Sequence, residues 1–118
     1  MADAGLFIGW GEVVRGRETE AVETFNATME YFAGLQESGT IESVEPVFLE
    51  QHGGDLNGFF FLRGDAAKLS QLRVDEEFEA MILRASLVVD NVGVVGAAMA
   101  SRLERQMSTY IEAIAAFA

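Results

Sequence analysis

The chain contains no cysteine, a single proline (Pro46), a single histidine (His52) and a single tryptophan (Trp10). Without cysteine, disulfides, iron–sulfur clusters, thiolate zinc sites and thiol nucleophiles are eliminated outright. A metal site is left only His52 with carboxylates such as Glu12 or Glu50, so no metal and no cofactor is expected. Positive charge is scarce as well, with 8 Lys and Arg against 19 Asp and Glu and a net charge of −11. A field of that sign repels phosphate backbones and anionic headgroups, which makes nucleic acid and membrane surfaces poor partners. Long hydrophobic runs are missing too. The longest, Val92 to Ala100, contains two glycines and is less than half the roughly 20 residues a membrane span needs. The opening MADAGLFIGWGE places Asp3, and no base, ahead of its short apolar run, so a secretory leader is not expected and a cytoplasmic location is.

Half of the 118 residues are apolar, enough for the core of one domain spanning 1–118. Gly5 to Val14 are strand formers apolar on both parities. Val22, Phe25, Met29, Phe32 and Leu35 then step by three or four, which predicts an amphipathic helix stopped at Gly39. Ile41 to Gln51 reads as a second strand, and Pro46 within it marks a sheet edge because it cannot donate to a ladder. His52 to Asn57 supplies turn chemistry before a third strand, Gly58 to Arg63, with a positive φ expected at Gly54. Asp65 and Asp75 are placed as N-caps of two short helices or one broken one. Leu87 to Val95 reads as a fourth strand buried on both faces, and Met99, Leu103, Met107, Tyr110, Ile114 and Phe117 form the stripe of a long closing helix.

The order βαββαβα predicts an α+β fold, with an antiparallel sheet in ferredoxin-like order: the fourth strand beside the first, then the third, then the Pro46 edge. Helices then cover one sheet face, and a homodimer formed sheet to sheet is the economical way to bury the other. In Gly16-Arg17-Glu18, Gly39-Thr40-Ile41-Glu42, His52 to Gly58 and Arg63-Gly64-Asp65 the chain resembles the dimeric α+β-barrel superfamily of ferredoxin-like proteins, and more narrowly an uncharacterised bacterial branch of it. The resemblance spans nearly the whole chain and implies the fold and a dimer. That superfamily includes cofactor-free monooxygenases, dehalogenase-like and isomerase-like enzymes, haem-handling proteins and members without known activity, and fold alone does not choose among them.

His52 is the candidate general base, since imidazole alone among side chains titrates near neutrality; equally, a histidine beside turn glycines bonds a loop carbonyl. Glu12 shares strand parity with Trp10, and a carboxylate beside an indole in a closed cavity can act as acid or base; alternatively it faces water at a strand end. Trp10, Asp90, Asn91 and Arg63 are the candidate ligand-pocket residues. The Arg63-Gly64-Asp65 tripeptide is accounted for by strand end, turn and cap, and Tyr31 and Tyr110 are expected at helix edges with their hydroxyls at the surface. Three functional readings follow: a cytoplasmic homodimer binding a small organic ligand in a barrel cavity, a cofactor-independent monooxygenase-like or isomerase-like enzyme, or a non-catalytic interaction module using the acidic helix faces.

Overall fold

The computed structural model describes residues 2–117. Its elements run β1 (Ala4–Trp10), α1 (Glu18–Glu37), β2 (Ser43–Phe48), β3 (Gly58–Gly64), α2 (Ala66–Arg73), α3 (Glu76–Ser86), β4 (Gly93–Ala98) and α4 (Ala100–Ala116). The strands form one antiparallel sheet in the order β2-β3-β1-β4, so the fold is α+β and ferredoxin-like. The strand carrying Pro46 lies at an edge, because the missing N–H is tolerated where no further strand must be paired.

Register divides the sheet into two unlike faces. Leu6 pairs with Leu62 and Ile8 with Phe60, and these side chains point at the helices; with Ala4, Phe32, Ile41, Leu69, Leu72, Phe78 and Met81 they form the buried core. On the opposite parity Phe7 pairs with Phe61 and Val95, and Phe59 with Val47. That second face is apolar, and three of its residues, Phe7, Phe59 and Phe61, are only partly buried, while Val95 is 57% exposed.

The helix ends follow the caps expected. Asp65 Oδ2 accepts from Lys68 N at 3.1 Å, and Asp75 Oδ2 accepts from Glu77 N at 3.1 Å and Phe78 N at 3.2 Å. The Asp75 cap breaks the run into α2 and α3 and brings Phe78 and Met81 onto the core. Gly39 leaves α1 at φ +82°.

Several boundaries differ from the sequence reading. β1 ends at Trp10 and not at Val14; beyond it Val13 makes one isolated bridge to Val89. Glu12 therefore does not share a strand with Trp10. β2 is shorter than Ile41 to Gln51. The fourth strand is shifted most: Leu87 to Val92 look like a strand by their β-branching, but α3 runs through Ser86, and Val88 closes its last turn by donating to Ala85 O at 3.0 Å. The real strand is the Gly- and Ala-rich GVVGAA, and the Asp90-Asn91 pair lies in the connection before it. In the hairpin Gly53, not Gly54, holds the positive φ, at +81°. A Cβ at Gly54 would meet only the exposed His52 ring, a side chain rather than backbone, so Gly54 is not the position at which the turn demands glycine.

Because Asp75 satisfies two otherwise free N–H groups at the start of α3, Asp75→Ala is expected to lower stability by about 0.5–2 kcal/mol. His52→Ala, at an exposed loop, should change it by less than about 0.5 kcal/mol. Urea midpoints of the two variants measured together check this.

Candidate functional site

Between the helix-facing side of the sheet and the pair α1–α3 lies an open cleft of about 400 Å³. Its floor is Ile8, Trp10 and Phe60 from the sheet; Val22, Phe25 and Thr28 of α1 form one wall, Met81, Ile82 and Ala85 of α3 the other, and Val88, Val89 and Val92 close the end. The cleft lies where the side chains of α1 and α3 leave the space over Trp10 unfilled. Val22 belongs to the apolar stripe of α1, yet remains 61% exposed at the opening.

Four aromatic rings line it, from Phe60, buried in the sheet, to Phe48, 69% exposed on the edge strand. Trp10 lies 5.1 Å from Phe60, 6.0 Å from Phe48 and 6.3 Å from Phe25, the last two edge to face, and Phe25 stacks on Phe60 at 5.3 Å. Such offset and edge contacts are the favourable geometry for aromatic quadrupoles and hold the rings as a fixed wall. The indole can lie there because its cross-strand partner is Gly58: a Cβ at that position would come within 2.6 Å of the Trp10 ring. Polar groups are few. Thr28 Oγ1 donates to Thr24 O at 2.7 Å and is spent, and Glu18, the one carboxylate on the lining, accepts from Gly16 N at 3.1 Å and caps its own helix entry.

The residues predicted from sequence fall in four places. Trp10 is in the cleft. Glu12, Asp90 and Asn91 line a separate polar basin with Asp55 and Asn57. It is held together by backbone: Gly11 N donates to Asp90 O at 2.7 Å, Asp90 N to Glu12 O at 2.8 Å, and Asn57 N to Trp10 O at 2.8 Å. Gly11 is required at this crossing, where a Cβ would lie 2.8 Å from Asp55 O and 3.1 Å from Asp90 O. Asn91, at φ +58°, takes the left-handed turn that its short amide tolerates. Among the described residues no group of three His, Asp or Glu is arranged to hold a metal ion. Arg63 is elsewhere again, on the helix-free face, 4.8 Å above the Phe61 ring and 3.2 Å from Glu45. His52 lines neither cavity; its Nδ1 is 2.8 Å from Glu50 O at the exposed hairpin.

Phe25, Phe48 and Phe60 were not among the sequence candidates. Phe25 stands in a helical stripe and Phe60 in an apolar run, patterns that read equally as core; only their place beside the space between α1 and α3 makes them a wall. Tyr31 also departs from expectation. Its hydroxyl is buried without a partner rather than at the surface, and burial, with Asp75 and Glu77 adding to it, pushes its pKa from 10.0 up to about 12.

No protein-family model matches the sequence, and neither does any curated protein. Solved structures do match by shape. A dimeric protein of unknown function and ferredoxin-like fold from Bacteroides fragilis superposes with a TM-score of 0.59 at 12% identity, covering 81% of this chain and 96% of its own. A dimeric ferredoxin-like protein of unknown function from Jannaschia sp. CCS1 gives 0.60 at 13%, covering 82% and 98%. SnoaB, a cofactor-independent oxygenase from Streptomyces nogalater, gives 0.53 at 14%, covering 85% and 96%. At such identities the likeness is one of fold.

Because the folded pKa of Tyr31 is raised, the protein keeps the stability tied to its neutral hydroxyl below pH 10 and loses it as pH climbs towards about 12. In a Tyr110→Phe background, which leaves Tyr31 as the only tyrosine, absorbance at the phenolate band should titrate near the upper value; titration at the ordinary tyrosine value would contradict the burial.

Proposed function

We propose that the protein is a homodimer that binds a small, flat, largely apolar organic molecule in the cleft beneath Trp10. The observation that carries this reading is the aromatic wall: a cavity of about 400 Å³ sits within the size range of small-molecule sites, and four rings face it. Nothing polar converges on its centre, so affinity there comes from burying apolar surface and from ring-on-ring contact. The dimer reading rests on the helix-free sheet face of Phe7, Phe59, Phe61, Val47 and Val95, and it is supported by the description of the Bacteroides and Jannaschia proteins as dimeric. No helix among the described residues is long and apolar enough to cross a membrane, and a cysteine-free, acidic chain suits the reducing cytoplasm.

A second reading is a cofactor-independent oxygenase or isomerase acting on the same ligand, favoured by the shape shared with SnoaB and by the apolar lining. In that reading His52 or Glu12 is the base, with Asp90 and Asn91 at the ligand's periphery, while Arg63, on the opposite sheet face, takes no part. It requires the loops bearing His52 and Glu12 to close over the cleft mouth, because neither residue lines it in the open arrangement.

Trp10, the only tryptophan, reports occupancy directly. With 1-naphthol as the probe, its fluorescence should quench saturably, and Ala85→Phe, which fills the cleft from α3, should weaken the effect at least about tenfold while leaving the circular dichroism unchanged. Quenching that is linear in probe, or equal in the variant, would remove the ligand-binding reading. Oxygen uptake on mixing with 1-naphthol, lost in Glu12→Gln or His52→Ala, would favour the enzyme. For the dimer, Val47→Asp places a charge on the helix-free face and should shift sedimentation equilibrium towards monomer with secondary structure retained.

A further inference from the structure

α4 has the pattern of a partnered helix and no partner within its own chain. Leu103, Met107, Tyr110, Ile114 and Phe117 succeed one another at steps of four and three, with Ile111 beside them, and each is between 49% and 94% exposed. No residue of α4 is buried. The helix is tied down at its first turn, where Met99 N donates to Asp3 O and Ser101 Oγ to Asp3 Oδ2, both at 2.9 Å, and Ala100 at φ +48° directs it away from the sheet. Its reach lengthens the molecule to 54 Å and raises the radius of gyration to 16.4 Å, where a compact domain of this length has about 13–14 Å.

Charge selects the occupant of this stripe. α1 carries Glu18, Glu20, Glu23, Glu30 and Glu37 with no base, and α3 opens on Glu76, Glu77 and Glu79, so the helix layer of one copy repels that of another. α4 holds two acids, Glu104 and Glu112, against two arginines, Arg102 and Arg105, and is the neutral helix of a chain of net charge −11. The helix-free sheet face is also balanced, its Arg63 paired with Glu45. α2, with Lys68 and Arg73 and no acid, is not repelled either, but it presents no large apolar stripe; the exposed apolar surfaces on which two strongly acidic copies can meet without repulsion are this face and α4, which follows directly on β4, the strand that carries Val95. Six large side chains, each exposing on the order of 100 Å² at these fractions, approach the roughly 800 Å² per partner of a standard interface.

We propose that α4 is an exchanged arm, its apolar stripe packing on a second copy of this chain and extending the interface made by the helix-free sheet face. The inference rests on the homodimer reading and goes beyond it, because a sheet-to-sheet dimer alone leaves α4 bare.

The test compares three proteins by sedimentation equilibrium: wild type, the uncharged double variant I111Q/I114Q, and Val47→Asp. The double variant should be a monomer where wild type is a dimer, its dissociation constant raised at least about 100-fold, with unchanged circular dichroism because α4 contributes nothing to the core. Truncation after Met99 gives the same result by a second route. If I111Q/I114Q dimerises like wild type while Val47→Asp is monomeric, the arm is not exchanged and the dimer rests on the sheet alone. If wild type is itself monomeric at tens of micromolar, both the arm and the dimer fail, and the cleft reading is unaffected.

Discussion

A four-stranded sheet has two faces, and α1, α2 and α3 cover only one of them. The rest of the molecule follows from that constraint. On the covered side, Leu6, Ile8, Phe60 and Leu62 meet Phe32, Phe78 and Met81 and close a dry core. Between α1 and α3 the covering is incomplete and leaves the cleft at Trp10. On the other side the same alternation that fills the core must deliver Phe7, Phe59, Phe61, Val47 and Val95 to a surface that no helix of the compact body reaches.

The two consequences divide the chemistry of the chain. The cleft is apolar and aromatic, with Thr28 Oγ1 bonded to Thr24 O and the Glu18 carboxylate to Gly16 N. The polar groups that invite catalytic roles gather instead at the loop crossing around Gly11, where Glu12, Asp90 and Asn91 stand beside Asp55. Binding by burial of apolar surface is thus the activity the geometry supports best. Charge is partitioned in the same way, since the helix layer carries the acidic excess while the helix-free face and α4 are balanced.

Much of this was legible in the sequence. Period-two and period-three-to-four patterns found the strands and helices, Pro46 identified an edge strand, and Asp65, Asp75 and Gly39 set helix ends, because each of these residues acts through its own backbone or its nearest neighbours. Strand four lies beside β1 as expected but is displaced along the chain, for a physical reason. Four of its six residues, Gly93, Gly96, Ala97 and Ala98, have little strand propensity of their own, and they pair because β1 offers them an unpaired edge; Leu87, Val88 and Val89 before them advertise a strand but serve as the helix end and the connection. The cleft was legible only in part. Trp10 was expected in a ligand pocket, but Phe25 and Phe60 carry core patterns, and whether such a ring is buried or lines a cavity depends on how the elements pack over it, which no local pattern encodes.

The central claim is that the face left bare by the helices is covered by self-association that includes α4. Hydroxyl-radical footprinting of the intact protein tests this most directly, with Met107 and Tyr110, 51% and 63% exposed in the single chain, compared against Val22 and Leu83 of the helix layer at 61% and 66%. The account predicts that Met107 and Tyr110 are protected at micromolar concentration and become reactive on dilution, while Val22 and Leu83 react alike throughout. Oxidation of Met107 and Tyr110 at the full rate of exposed side chains, independent of concentration, would contradict it.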